Sequence, residues 1–442
     1  MRVFKFGGAS VKDPEAVRNV ASIISDYGTQ SLIVVISAMA KTTNALEKLT
    51  QYYMDGQFEE MMNVFHEIKR FHVDLTKGLF NDPKHPAFFH VEQTFFHLLR
   101  YIEEKPSANY NYEYDRIVST GEIVSTQIVS HFLNHSGLRN QWFDARKLII
   151  TDASFRDARV DWILTPQAVK KALLPYLQPT PNSAKPGIVL TQGFIGATTQ
   201  GFSTTLGREG SDYTAAILAY SLRAQEVVIW KDVPGLLNAD PKLFDQTLLL
   251  PNISYQEAIE LAYYGATVIH PKTLKPLLSR NIPLKVKSFF QPLEPGTIIN
   301  QNSLNDSQVP SYIVKFNQVL ASIFPKDFSF IAEQNLSRIF SDFAKHGVKI
   351  NLMQNSAISF SVCFDRDLIK TPALLRDLEK NFNVKYNFDL KMITIRHYEK
   401  ARVESLISGS EVLLEQKSRT TLQLVVKEKV KNEPIDFVRG SK

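Results

Sequence analysis

The chain has 442 residues, of which 44% are hydrophobic and 22% are charged. This length exceeds one ordinary core and predicts two or three domains of ordinary globular composition. Its 51 basic and 45 acidic residues are interspersed, so the net charge of +6 does not indicate nucleic-acid binding. No apolar run is long enough to span a bilayer. The single cysteine, Cys363, excludes an internal disulfide. We expect a cytoplasmic protein without a membrane or nucleic-acid partner.

The first two-thirds of the chain alternates strand and helix patterns. Short β-branched apolar runs at Val3–Phe6, Leu32–Ile36, Ile188–Thr191 and Val227–Trp230 are typical of buried parallel strands. Residues 44–104 form a long, mostly helical segment. The pattern predicts an α/β fold with a mainly parallel sheet sandwiched by helices.

A change of pattern marks the last third of the chain. Residues 291–310 are loop-like, and we divide the chain there into domains of residues 1–300 and 301–442. Beyond the boundary, helical stripes are interspersed with strands of period two. Helices on one face of antiparallel sheets, occurring about twice, predict an α+β region of ferredoxin-like modules.

Two glycines follow the first predicted strand. Gly7 and Gly8 would let backbone amides approach a phosphate, while Ser10 adds a hydroxyl and Lys5 a positive charge. The spacing fits neither a Walker A loop nor GxGxxG. A Gly-Gly pair after a strand is, by itself, usually a turn. The motif alone therefore leaves a phosphate site and a simple turn open.

A second loop, Thr205 to Asp212, leads into a predicted helix after a Gly- and Thr-rich hairpin at residues 192–207. Free amides at a helix N-terminus favour anions, and Arg208 suits a carboxylate. Asp212 is either the N-cap or the residue that organises Lys5. The loop alone does not decide between these roles.

Polar residues also follow other predicted strands. Ser37 and Thr43 come after the second strand, and Lys231 follows the strand at residues 227–230. Glu122 follows the strand-like run Arg116–Ser119 and suits an ammonium group. Because the carboxyl ends of parallel strands meet at one edge, we expect these residues to share one crevice.

Together the motifs resemble the aspartate kinase family of the amino-acid kinase superfamily. They are KFGGAS, VVISAMAKTTN, STGE, TLGREGSD, KDVPG with NADPK, and YYGATVIHP, in the family's order along nearly the whole chain. The resemblance implies an amino-acid kinase fold followed by two nested ACT modules that pair in a homodimer. It implies phosphorylation of L-aspartate to 4-phospho-L-aspartate by ATP, the first step of lysine, threonine and methionine biosynthesis. Mg²⁺ would be held mainly by the ATP phosphates, with no metal site of the protein's own.

The resemblance also implies roles for individual residues. Lys5 would contact the transferring phosphoryl group and Asp212 would hold the lysines in place, while Glu122 would bind the ammonium group and Arg208 the α-carboxylate. The predicted ligand-binding residues are Ser37, Thr43, Glu122, Arg208 and Ser211 for aspartate; Gly7, Gly8, Ser10, Lys231, Asp232, Leu237, Asp240, Lys242 and Thr267 for ATP; and Asn351, Gln354, Asn355 and Ser356 for an amino-acid effector.

Several positions depart from the family's pattern. Glu209 replaces a usual Gly, Lys231 a usual Thr, and Thr267 a usual Lys that contacts the nucleotide. Losing one charged hydrogen bond costs about 1.5–3 kcal/mol, so Thr267 predicts weaker ATP binding, and we hypothesise that Lys231 supplies the missing charge. Ser356-Ala357 stands where many lysine-sensing members have Ser-Glu, which predicts weak or altered lysine sensitivity. The alternative for that segment is a plain β-turn.

Two other functions stay open. A kinase of the same fold would act on another amino-acid carboxylate, such as glutamate. A non-catalytic amino-acid sensor would have a decayed kinase site, for which Thr267 and Glu209 are the best support. The retained charged residues of the phosphoryl and aspartate sites oppose the sensor. The histidines of the helical insert lack metal-binding spacing and predict packing or surface roles.

Overall fold

The computed structural model describes residues 1–27, 31–178, 187–266, 269–327, 329–399, 403–404 and 406–428. These residues form two compact units. The first contains residues 1–236, 249–262 and 269–305, and the second contains residues 237–248, 263–266 and the described residues from Asp306 onward. Segments 237–248 and 263–266, which we assigned to the first domain from sequence, therefore cluster with the second unit.

An eight-stranded sheet forms the centre of the first unit. Its strands in spatial order are β3 (Asn140–Phe143), β5 (Ile188–Gln192), β2 (Leu32–Ile36), β1 (Arg2–Phe6), β8 (Glu226–Lys231), β10 (Leu284–Ser288), β11 (Thr297–Asn300) and β9 (Asn252–Ser254). Neighbouring strands are parallel from β3 to β10, whereas β10 and β11 are antiparallel. Val34 and Val35 point to opposite faces, and both are fully buried, as expected for a sheet covered on both sides.

Helices cover both faces of this sheet. The helices of this unit are α1 (Pro14–Asp26), α2 (Thr42–Met54), α3 (Phe58–Leu79), α4 (Pro86–Ile102), α5 (Tyr110–His135), α6 (Leu164–Leu177), α7 (Gly210–Leu222), α8 (Tyr255–Tyr264), whose last two residues cluster with the second unit, and α9 (Pro271–Leu278). On one face Phe4, Phe6 and Trp230 share a core with α1 and α5, and α7 lies against β1, β2 and β8. The predicted α/β fold is confirmed, and α2 to α4 confirm the helical segment at residues 44–104.

One predicted strand is wrong. Arg116–Ser119 lies inside α5, a helix of 26 residues, because Ile117, Val124 and Ile128 continue a buried helical stripe beyond the short β-branched run. The predicted hairpin at residues 192–207 is confirmed. The hairpin consists of β6 (Ile195–Thr198) and β7 (Ser203–Thr205), and it forms a small separate sheet with β4 (Ile150–Thr151).

The second unit is built on one six-stranded antiparallel sheet. Its strands in spatial order are β13 (Ile350–Asn355), β14 (Phe360–Asp365), β12 (Ser311–Pro325), β15 (Phe382–Arg396), β17 (Thr421–Glu428) and β16 (Ser410–Lys417). Helices α10 (Glu333–Lys345) and α11 (Lys370–Asn381) share a core with β12 and β14. The α+β region is confirmed, although β12 and β15, at 15 residues each, join its two halves in one sheet. Among the described residues, no helix is long and apolar enough to cross a membrane.

Candidate active site

A polar cavity of about 400 Å³ lies where β1 and β2 lead into their loops and where α7 begins. Its walls include residues from four separate sequence motifs. They are Lys5, Gly8, Ser37, Thr43, Glu122, Arg208, Ser211 and Asp212. Lys5 and Arg208 therefore share one cavity, which the kinase hypothesis requires.

Gly8 allows the loops after β1 and β2 to touch. The amide of Ala40 donates to the carbonyl of Gly8 at 3.0 Å, and the amide of Ser37 donates to the carbonyl of Phe6 at 3.1 Å. A Cβ atom at position 8 would lie only 2.7 Å from the carbonyl oxygen of Ala38. Glycine is therefore required here for close backbone approach rather than for a turn alone.

Asp212 is a buried carboxylate between two lysines. Its Oδ1 lies 2.7 Å from Lys5 Nζ, and its Oδ2 lies 3.5 Å from Lys231 Nζ. Burial alone would raise the pKa of Asp212, but the two lysines hold it below its ordinary value. Because α7 begins at Gly210 with Glu209 as its N-cap, the N-cap role for Asp212 is wrong. Its contacts fit the organising role instead.

Glu122 extends from α5 into the cavity and is only 2% exposed. Burial raises its pKa to about 8, although the backbone of Ala38 and the charge of Lys5 act in the opposite direction. Its Oε2 has no hydrogen-bond partner among the described residues. A buried acceptor without a donor costs about 1–3 kcal/mol. The ammonium group of a ligand would supply that donor and favour the charged carboxylate.

The start of α7 adds groups that favour anions. Gly210 and Ser211 line the cavity at the first turn of this helix, and Arg208 lines it just before the N-cap. The helix dipole favours negative charge there, although the amides of Gly210 and Asp212 donate to the carbonyls of Gly207 and Glu209 at 3.0 Å. With Lys5 nearby, the cavity suits anionic groups, whereas Glu122 suits a cation. A molecule with one ammonium and two carboxylates, together with a phosphate, matches this charge pattern.

Sequence reasoning missed several residues of the cavity, including Tyr114 and Arg156. The guanidinium of Arg156 lies 4.1 Å from the centre of the Tyr114 ring. The amide of Arg156 donates to the buried Asp115 carboxylate at 3.0 Å, and the amide of Thr205 donates to the same carboxylate at 2.8 Å. Asp115 thereby joins α5, the Arg156 loop and β7. Asp115, a charged residue within the apolar stripe of a helix, was the sequence feature that could have indicated these contacts.

The predicted ATP-binding residues of the first unit are only partly at the cavity. Lys231 ends β8, and its Nζ lies 3.6 Å from Oε2 of Glu209, which lines the cavity. Gly7 and Ser10 form the turn after β1, in which the Ser10 amide donates to the Gly7 carbonyl at 2.9 Å. Asp232 follows β8 and is exposed. None of Gly7, Ser10 and Asp232 is among the residues that line this cavity.

Other predicted ATP-binding residues lie elsewhere in the chain. Leu237, Asp240 and Lys242 belong to segment 237–248 of the second unit. The Asp240 carboxylate accepts a hydrogen bond from the Lys242 amide at 2.9 Å, which forms a local turn. Thr267 lies outside the described residues. The nucleotide roles of all four stay predictions.

The predicted effector residues lie along β13 and in the turn after it: Asn351 near its start, Gln354 and Asn355 at its end, and Ser356 just beyond. Asn351 accepts a hydrogen bond from Lys315 Nζ at 2.9 Å, so its side chain is engaged within the unit. Gln354 and Asn355 are the last two residues of the strand, and both are exposed. The amide of Ser356 donates to the carbonyl three residues later at 2.8 Å. This turn joins β13 to β14, as the plain-turn interpretation expects, and the effector role stays a prediction.

Comparison with known proteins places the chain in a family. Residues 1–288 match the model of the amino acid kinase family. Lysine-sensitive aspartokinase 3 of Escherichia coli (strain K12) is 31% identical over 407 residues, which cover 89% of this chain and 86% of that protein. The chain belongs to the aspartokinases of the amino acid kinase family. The predicted family resemblance is thereby confirmed.

Other relatives extend the aspartokinase likeness. Chloroplastic aspartokinase 1 of Arabidopsis thaliana is 31% identical over 395 residues, which cover 86% of this chain and 67% of that protein. The crystal structure of E. coli aspartokinase III in complex with aspartate and ADP superposes with a TM-score of 0.79. It is 28% identical, and the superposition covers 96% of each chain. The same enzyme in complex with lysine and aspartate gives the same TM-score.

Proposed function

We infer that this chain is an aspartate kinase, which transfers a phosphoryl group from ATP to the side-chain carboxylate of L-aspartate. One observation carries the inference. A single cavity holds the buried Glu122 carboxylate with an unpartnered oxygen, together with Lys5, Arg208 and the start of α7. These groups complement an ammonium, a carboxylate and a phosphoryl group at once. The likeness to an aspartokinase in complex with aspartate and ADP supports the same assignment.

Binding of aspartate would use groups of both charges. Glu122 would accept hydrogen bonds from the α-ammonium, and Arg208 would form a bidentate contact with the α-carboxylate. The hydroxyls of Ser37, Thr43 and Ser211 line the same cavity and would orient the remaining polar atoms. With both α-groups held, the side-chain carboxylate is the group left to react.

The transfer needs no general base. The aspartate side chain has an ordinary pKa near 3.9, so it is already an ionised nucleophile at neutral pH. The remaining task is to bring two anions together and to neutralise charge on the moving phosphoryl group. Lys5, held by Asp212 at 2.7 Å, would supply a preorganised positive charge for that group. Mg²⁺ would arrive with ATP, bound mainly to its phosphates.

We assign catalysis to residues 1–300 and regulation to residues 301–442. The antiparallel second unit would pair with a second copy in a homodimer and would bind an amino-acid effector near Asn351, Gln354, Asn355 and Ser356. Lysine sensitivity should be weak or altered because Ala357 leaves no carboxylate beside Ser356 for the ammonium group. Potent inhibition by sub-millimolar lysine would contradict this. The cytoplasmic location stays a prediction.

A coupled assay of ADP release tests the function. Reactions would contain ATP and Mg²⁺ with L-aspartate, with L-glutamate, or with no acceptor. We expect ADP release that depends on aspartate. Faster release with glutamate would favour a kinase for another amino acid, and no acceptor-dependent release would favour the non-catalytic sensor.

Lys231 has a separate test. Lys231→Ala should raise the KM for ATP by roughly 10- to 150-fold, the equivalent of one charged hydrogen bond. The KM for aspartate should change much less. An unchanged KM for ATP would exclude Lys231 from nucleotide binding.

A further inference from the structure

Glu209 occupies an unusual place at the start of α7. Its backbone has φ 56° and ψ 27°, in the left-handed region that glycine adopts more easily than other residues. The side chain is about one-third exposed, and its Oε2 lies 3.6 Å from Lys231 Nζ. Glu209 also lines the cavity that contains Lys5 and Arg208. A backbone conformation that disfavours glutamate thus positions a carboxylate of the cavity wall beside a lysine.

Lys231 already has another counter-ion. Its Nζ lies 3.5 Å from Oδ2 of the fully buried Asp212, whose Oδ1 contacts Lys5 at 2.7 Å. Two lysines and two carboxylates therefore form a charge-balanced group in the described structure. Without Glu209, the two lysines and Asp212 would leave one net positive charge for an incoming anion.

A phosphate that approaches Lys231 meets the Glu209 carboxylate as a competitor. The two anions repel each other, and they share the same ammonium group. Burial raises the pKa of Glu209, while Lys231 opposes this shift. Asp212 also raises the pKa of Glu209, whereas Lys5 lowers it. Arg208 precedes Glu209 in the chain. Of the two carboxylates beside Lys231, Glu209 is therefore protonated more easily than Asp212.

We propose that Glu209 limits nucleotide affinity by holding Lys231 in the empty site. The phosphates of a nucleoside triphosphate must then displace the Glu209 carboxylate from Lys231. This inference rests on the proposed kinase function, because it takes nucleotide phosphate as the competing anion. Asp212 keeps Lys231 in place when Glu209 releases it. Glu209 is accordingly a residue that sets nucleotide affinity and takes no part in the transfer itself.

Binding of a non-hydrolysable ATP analogue with Mg²⁺, measured by titration calorimetry at fixed ionic strength, tests the proposal. Glu209→Gln should bind the analogue about two- to fivefold more tightly, the range expected for a partly exposed charge pair. The gain should shrink at high salt. Glu209→Gly should show a gain at least as large, because it removes the same charge.

Two further variants locate the effect. In a Lys231→Met background, Glu209→Gln should give a clearly smaller gain, since the shared lysine is absent and only the direct repulsion between the carboxylate and the phosphate is relieved. Glu226→Gln is the matched control. Glu226 begins the strand that Lys231 ends, and it pairs with Arg2 and Lys285 at 3.1 and 2.8 Å. This control should leave the affinity for the analogue unchanged.

The outcomes separate the inference from the proposed function. Equal or weaker binding by Glu209→Gln would overturn the inference, as would the same gain in the Lys231→Met background. A gain confined to Glu209→Gly would assign the effect to the left-handed backbone and would also overturn it. If the wild-type protein did not bind the analogue at all, the kinase function itself would fail.

Discussion

Replacing Glu122 by Gln should weaken aspartate binding and remove its dependence on pH. Because the pKa of Glu122 in the empty site is about 8, only about a tenth of the carboxyl is charged at pH 7. The apparent affinity is the intrinsic affinity multiplied by the competent fraction. Aspartate affinity should therefore fall roughly tenfold for each pH unit below 8 and level off above it. The variant should lose the charged contact, which amounts to about 10- to 150-fold in the KM for aspartate.

The assay measures the KM for aspartate between about pH 6 and pH 9 at saturating ATP. Glu113→Gln is the matched control on the same helix. The Glu113 carboxylate accepts hydrogen bonds from the Ser107 amide at 2.7 Å and from the Tyr101 hydroxyl, and it does not line the cavity. The control should keep the wild-type slope. A wild-type KM that stays constant over this range would refute the reasoning.

The stability of the same variant provides a readout besides activity. A carboxyl with a raised pKa stabilises the folded state most below its ordinary pKa of about 4.5, and this stability is lost as pH rises towards 8. At pH 7 the loss amounts to at most about 3 kcal/mol. Glu122→Gln should therefore unfold at a higher temperature than the wild type at pH 7 without ligand. A lower unfolding temperature would contradict the assigned burial cost.

Three further changes have defined outcomes. Gly8→Ala should lower kcat/KM by roughly 10- to 100-fold, because its Cβ would lie 2.7 Å from the carbonyl oxygen of Ala38 and displace the loop after β1; full activity would exclude the tight loop contact. Asp212→Asn should reduce the free energy of unfolding by about 3–5 kcal/mol in urea titrations, since Lys5 and Lys231 lose their buried counter-ion; unchanged stability would contradict this. His72 is fully buried, and burial lowers its pKa to about 4, so the wild type should lose stability as pH falls from 6.5 towards 4. His72→Phe should lose less, and equal losses would show that His72 does not titrate in this way.

Four of the eight strands of the central sheet, β1, β2, β5 and β8, could be predicted because they are short, mostly apolar runs. The sequence analysis missed β3, β9, β10 and β11, in which polar residues interrupt the apolar run. β1, β2 and β8 are adjacent in the sheet, so the polar residues that follow them were correctly expected at one edge. The strand-like run at residues 116–119 failed for a physical reason. Its β-branched residues favour strands only weakly, and packing of the long α5 helix overrides that preference.

Part of the candidate site depends on contacts that sequence patterns do not encode. Arg156 reaches the cavity because its amide binds Asp115, 41 residues away, and Thr205 binds the same carboxylate from 90 residues away. The approach of Glu209 to Lys231 likewise requires the left-handed backbone at the start of α7. The family resemblance marked Glu209 and Lys231 as departures from the usual pattern, but only the fold brings these two side chains together.

The central claim is that one cavity brings the terminal phosphoryl group of ATP to the side-chain carboxylate of aspartate. Trapping the acyl phosphate with hydroxylamine measures this transfer directly. We predict that aspartyl hydroxamate forms only when ATP and aspartate are both present, and that Lys5→Met abolishes it. Undiminished hydroxamate in the Lys5→Met protein, or none from a wild-type protein that binds both ligands, would contradict the account.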